Sequence, residues 1–124
     1  MNLRRTGGVF LVVGLLTAAV GGSAVHAQQT VVLTASEFQF VPATITVPAG
    51  QPITLQLTNL GQIPHNLHIE GPGVRVDLVA SGVNVAPGQT TSRTLTFTTA
   101  GVYTFWCPVG NHRQGGMAGT LTVR

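Results

Sequence analysis

The sequence predicts an all-β protein, an antiparallel β-sandwich of seven to eight short strands with crossing connections. Three observations carry this prediction. From Thr30 onward, short runs of Val, Ile, Thr, Leu and Phe are punctuated by Pro and Gly at the spacing of strands and tight turns. Several runs alternate apolar and polar residues, the period of a half-buried strand. No stretch of useful length repeats apolar residues at helical spacing.

The N-terminal segment stands apart. "MNLRR" is short and basic, Val9–Gly22 is an apolar run, and "AVHA" supplies the small or apolar residues that a signal peptidase reads. The run is shorter than the roughly 18 apolar residues of a spanning helix. Residues 1–27 are therefore expected to be a cleaved export signal, with cleavage after Ala27; an uncleaved anchor is the alternative. Arg4-Arg5 fits ordinary secretion as well as a twin-arginine signal. His26 belongs to this segment and carries no role in the domain. Residues 28–124 then form one domain, large enough for a single core.

Within that domain the elements follow in order. "TVVLTA" (30–35) and "ATITV" (43–47) read as strands, and "PAGQ" (48–51) as a turn. "PITLQLTN" (52–59) alternates cleanly, and "IPHNLHI" (63–69) reads as the next strand. "EGPGV" (70–74) turns the chain, and residues 75–85 fit either short strands or a meandering loop. "APGQ" (86–89) is a turn, "SRTLTFT" (92–98) a strand, and "VYTFWC" (102–107) another after a turn at "AG". "GTLTV" (119–123) closes the domain.

Charge narrows the partners. Residues 28–124 hold four arginines against three acidic residues, a net charge of +1, and the chain has no lysine. No basic run is present, so nucleic acid is not an expected partner. Long-range steering of a charged partner is weak.

Cys107 is the only cysteine. In an exported chain a lone cysteine is a dimer bridge, a reactive thiol or a metal ligand. A metal bond would protect it from oxidation. Alternation places it with Tyr103 and Phe105 on the inner side of its strand, and leaves Thr104 and Trp106 outside. The same reading places His65 with Ile63, Leu67 and Ile69, and Met117 with Gly119, Leu121 and Val123. His65, Cys107 and Met117 each point inward near a strand end, whereas His68 has the opposite parity and is expected to face solvent.

A thiolate, two imidazoles and a thioether form a ligand set for copper that alternates between Cu(I) and Cu(II). Nine residues separate Cys107 from Met117, with His112 between them. Pro108, Gly110, Asn111, Gly115 and Gly116 suit a tight irregular loop, in which Asn111 and the glycines can adopt positive φ. The remaining ligand must come from elsewhere, and His65 fits.

"FQFVPATITVPAGQPITLQLTNLGQIPHNLHI" and "GVYTFWCPVGNHRQGGMAGTLTV" resemble the two halves of the cupredoxins, small blue copper proteins typified by plastocyanin, azurin, halocyanin and auracyanin. The resemblance spans essentially all of 30–124. It implies a Greek-key sandwich and an exported carrier of single electrons, located in the periplasm or on the extracytoplasmic side of a membrane. It implies one copper ion, with His65, Cys107 and His112 as equatorial ligands and Met117 as the axial one. It gives Asn66 the task of tying the two ligand loops together through hydrogen bonds. Trp106 stands where plastocyanin has a tyrosine on a second electron route, although packing beneath a loop explains it equally well. The acidic patch that accompanies that route in plant plastocyanins has no evident counterpart here. Four residues separate Cys107 from His112, as in azurin, and four separate His112 from Met117, as in plastocyanin. The loop is a hybrid. A binuclear copper centre is excluded, because Asn111 stands where its second cysteine would be.

Each ligand has a plainer reading alone: His65 as a half-buried histidine, Met117 as core filling, Cys107 as a small hydrophobe. Together, at matching parity and within these motifs, they point to copper. His112 is expected near the surface as the electron doorway, and Arg113 is expected to be solvated, with orientation of a partner as the alternative. Copper enzymes need additional sites and histidine pairs. Residues 28–124 contain three histidines and no His-x-His pair, so the chain is not expected to be an enzyme. Delivery, storage or resistance on the same fold is the alternative function. Delivery sites tend to be open and rich in Met or His, and one methionine in 28–124 favours the carrier. A metal-free adhesion sandwich would leave the ligand parity unexplained. The expected partners are a redox donor and acceptor, met by a monomeric or weakly associating protein.

Overall fold

The structure, a computed structural model, describes residues 28–80 and 82–124. The expected signal segment and its cleavage site lie outside the described residues. Among the described residues there are nine strands: β1 (Gln29–Ser36), β2 (Gln39–Val41), β3 (Thr44–Val47), β4 (Pro52–Asn59), β5 (His68–Gly71), β6 (Val74–Asp77), β7 (Thr90–Thr96), β8 (Gly101–Trp106) and β9 (Ala118–Val123). They form a four-stranded sheet in the order β2-β1-β4-β7 and a five-stranded sheet in the order β3-β9-β8-β5-β6.

The all-β sandwich agrees with the sequence reading, and three details correct it. The sheets are mixed rather than antiparallel, because β1 runs parallel to β4 and β3 runs parallel to β9. Alternation specifies which face a side chain takes, but not the direction of the neighbouring strand, so sequence pattern alone cannot distinguish the two pairings. The short β2, paired to the end of β1, raises the count to nine. The strand expected over 63–69 is divided. β5 begins only at His68, and His65 makes an isolated bridge to Val85. Pro64 has no N–H for a ladder, and the Asn66 side chain takes the Leu67 N–H for itself at 2.8 Å.

The apolar parity of the strands becomes the core between the sheets. Val31, Leu33 and Ala35 of β1 and Ile53, Leu55 and Leu57 of β4 meet Tyr103 and Phe105 of β8 and Leu121 and Val123 of β9, all buried. Phe40 meets Phe105 edge-on at 5.6 Å, and Phe97 meets Tyr103 at 5.3 Å. Gly119 makes the first contact possible: a Cβ there would lie 2.2 Å from the Phe105 ring and 2.4 Å from the Ala43 carbonyl oxygen. At the far end of β8 the Tyr103 hydroxyl reaches the carbonyls of Thr99, at 2.6 Å, and Pro72, at 3.1 Å. β8 is thus anchored along its length, and its next residue is Cys107.

Candidate metal centre

Cys107 follows β8 directly and is fully buried. Its N–H donates to the Met117 carbonyl at 3.0 Å, which closes the base of the loop. Inside the loop, His112 N–H donates to the Val109 carbonyl at 3.1 Å, and Met117 N–H donates to the His112 carbonyl at 3.2 Å. The loop turns on Gly110 at φ +47° and Gly116 at φ +101°. Asn111 does not adopt positive φ, because every positive-φ residue among those described is a glycine. The left-handed steps fall where no Cβ opposes them.

His65 arrives from the other half of the chain. Its N–H donates to the Val85 carbonyl at 3.1 Å, and its carbonyl accepts from Val85 N–H at 2.8 Å. Asn59, fully buried at the end of β4, shapes the approach: its side-chain amide donates to the carbonyls of Ile63 and Val85, and its oxygen accepts from Gly61 N–H. His65, Leu67 and Ile69 are buried as their parity requires, but Ile63 is 37% exposed, because the chain is still turning there.

These elements place three donor atoms together. His65 Nδ1 lies 3.9 Å from Cys107 Sγ, and His112 Nδ1 lies 3.4 Å from the same sulfur. All three ligating atoms fall within 4.8 Å of one another. Met117 is fully buried in the same core cluster as Cys107. Two imidazole nitrogens aimed at one buried thiol, with a thioether in the adjoining core, suit copper. His112 is half-buried, and burial first, then the neighbouring His65, lowers its pKa below the ordinary 6.5, with the Glu37 charge opposing. A neutral ring keeps a lone pair available for a metal.

The remaining sequence-predicted residues are placed less simply. Asn66 is buried and ties down the His65 segment, but to a different strand connection than expected. Its amide donates to the Val79 carbonyl at 3.0 Å, and its oxygen accepts from Val79 N–H at 3.2 Å and from Leu67 N–H. These bonds reach the chain after β6 and not the Cys107–Met117 loop. Trp106 is half-buried on the outer face, between the Arg113 guanidinium, 3.7 Å from its ring centroid, and the His68 ring at 4.6 Å. Arg113 is exposed, as expected, and in addition stacks on Trp106. His68 has the outward parity expected but does not face open solvent. Its side chain is 12% exposed, and its Nδ1 lies 2.6 Å from Asp77 across the β5–β6 pair.

Three residues at the site escaped the sequence reading. Glu37, at the corner between β1 and β2, places Oε1 3.1 Å from His65 Nε2 and accepts from the N–H groups of Gln62 and Ile63. Desolvation pushes its carboxyl upward, but these bonds outweigh it and lower the pKa below the ordinary 4.5. Phe38 packs on His112 with ring centroids 4.9 Å apart. Asn59 is the third. No local motif marks any of them; the only signal is that Glu37 is one of three acidic residues in the whole chain.

The comparisons with known proteins agree with this geometry. The family model described as a Cupredoxin-like domain matches residues 8–123. The chain is 32% identical over 117 residues to the copper-resistant cuproprotein CopI of Rubrivivax gelatinosus, covering 83% of this chain and 71% of that protein. It is 34% identical over 94 residues to plastocyanin of Mercurialis perennis, covering 70% of this chain and 89% of that one. Reduced auracyanin from Roseiflexus castenholzii superposes with a TM-score of 0.67 at 27% identity, over 79% of this chain and 98% of its own. His65, Cys107, His112 and Met117 together form the pattern of a type 1 copper site. With that site, this fold and these matches, the chain belongs to the cupredoxin family of blue copper proteins.

Proposed function

We propose that this protein is a one-electron carrier, exported and working between redox proteins on the extracytoplasmic side of the cell membrane. The observation that carries the reading is the convergence of two imidazoles on one buried thiol before any metal is considered. Copper supplies the one-electron couple. The chain's residues hold the donor atoms and exclude water. Little rearrangement is then needed between oxidation states, which suits a carrier.

His112, the half-buried ligand, is the doorway for the electron. Phe38 lies against it, and Phe38, Leu60 and Ile63 are exposed apolar residues around the two ligand segments, a surface suited to brief contact with a redox partner. Trp106, next to Cys107, offers a second route. The protein acts as a carrier and not as an enzyme, because three histidines without a His-x-His pair in residues 28–124 provide one copper site and no second.

Copper resistance or delivery is a second reading, favoured by the similarity to the CopI protein. Adding Cu(II) to the purified protein separates the two. A carrier develops an intense thiolate-to-copper band that bleaches with a mild reductant and returns on reoxidation without loss of metal. A delivery protein surrenders Cu(I) readily to a chelator. Cys107→Ser abolishes the band; retained colour would refute the thiolate ligand.

A further inference from the structure

We propose that Glu37 is the positioning residue of the copper site: its carboxylate selects the tautomer of His65, aims the ring at Cys107 and favours the oxidised metal. The inference rests on the reading of His65 as a copper ligand.

One carboxylate oxygen gathers three donors. Glu37 Oε1 lies 2.8 Å from Gln62 N, 3.0 Å from Ile63 N and 3.1 Å from His65 Nε2. An ionised carboxylate only accepts, so the ring proton sits on Nε2 and the lone pair on Nδ1, the atom that faces Cys107 Sγ at 3.9 Å. The His65 side chain is fully buried, so Glu37 is the partner that satisfies its N–H. The two backbone bonds immobilise the carboxylate, and the carboxylate immobilises the ring.

Gly61 points to the same arrangement independently. A Cβ at this position would lie 2.4 Å from Glu37 Oε1 and 2.7 Å from Oε2. Gly61 is not among the glycines with positive φ, so its backbone does not demand glycine. The space is needed by the carboxylate.

A carboxylate bonded to the far nitrogen of a ligating histidine raises its donor strength. A stronger donor and a nearby negative charge both favour Cu(II) over Cu(I). Glu37 therefore lowers the reduction potential as well as orienting the ring.

The test compares wild type, Glu37→Gln, Glu37→Ala and Gly61→Ala in the full chain loaded with copper. Each is read by visible spectrum, reduction potential and Cu(II) affinity. Glu37→Gln keeps an acceptor and removes the charge. It should retain the band while Cu(II) binding weakens about tenfold relative to Cu(I), a rise of about 59 mV in a one-electron potential. Glu37→Ala should lose about 10–100-fold in Cu(II) affinity. Gly61→Ala should raise the potential when Glu37 is present and add nothing when residue 37 is alanine. A blue wild type with Glu37→Gln and Gly61→Ala at the wild-type potential would overturn the role of Glu37 alone. A wild type without the band would overturn the copper reading, and this inference with it. If the variants fail to fold, ¹⁵N NMR of the wild-type Cu(I) form decides: a slowly exchanging His65 Nε2–H supports the clamp, and rapid exchange refutes it.

Discussion

His65 and His112 present the same atom to the same sulfur, yet they are held by different means. His112 sits in a loop of local turns, its N–H bonded three residues back to Val109, and it is half-buried. His65 is fully buried and held by two residues distant in sequence, Val85 on its backbone and Glu37 on its ring, while Asn59 and Asn66 fix the segments either side. The difference assigns separate tasks. The buried histidine is part of the scaffold, and the rim histidine is the exchangeable side of the site.

Replacing each histidine by glycine tests that division most severely. His112→Gly opens the site at its rim, so added imidazole should restore the thiolate-to-copper band. His65→Gly leaves a closed hole and removes one of the three donors that Glu37 accepts. It should not be rescued by imidazole, and it should cost on the order of 2–3 kcal/mol in urea unfolding. Equal rescue of both variants would erase the distinction.

Acid offers a gentler test on the metal-free protein. The folded pKa of His112 lies below 6.5, for burial first and the nearby His65 second, so the unfolded chain binds its proton more readily. Stability therefore falls as the pH drops through 6.5 toward the folded value. Glu37 has a folded pKa below 4.5, so its contribution is present above 4.5 and is lost as the pH falls through the folded value. Urea midpoints against pH should show both losses, and His112→Gln should remove the upper one alone. An upper loss that survives His112→Gln would belong to another group.

The smallest effect is expected outside the site. His68→Ala removes the Asp77 bond and the contact with Trp106, and should lower the thermal midpoint by the equivalent of about 1 kcal/mol. The visible spectrum should not change, because His68 occupies the face of the sheet opposite Cys107. A changed spectrum would mean that the outer cluster reaches the thiolate through Trp106.

The same contrast explains how much could be read from sequence. The Cys107–Met117 loop was legible because its ligands, glycines and closing turn lie within one short stretch. The inward parity of Cys107, Met117 and His65 was legible because strand alternation is a local property. β4 was legible to the residue, since "PITLQLTN" alternates without interruption. β7 was displaced by two residues, from 92–98 to Thr90–Thr96, because alternation continues past the last ladder bond to buried Phe97. Glu37 was not legible, since it lies 28 positions before His65 in the sequence. Nor was the contact of Arg113 and His68 with Trp106, which joins a loop side chain to two neighbouring strands.

By itself, then, the sequence determined the all-β class, the strands that alternate, the copper-type donor set and the inward direction of three of its four members. These follow from chain stereochemistry and residue chemistry, which act over a few residues. Only the tertiary structure decided that β1 pairs in parallel with β4 and β3 with β9, that Asn66 bonds to Val79, that Arg113 stacks on Trp106 and that Glu37 holds the far nitrogen of His65. Each is a meeting of groups that strand alternation does not relate, brought within a few ångströms when the chain packs, and no local pattern encodes which of them will meet.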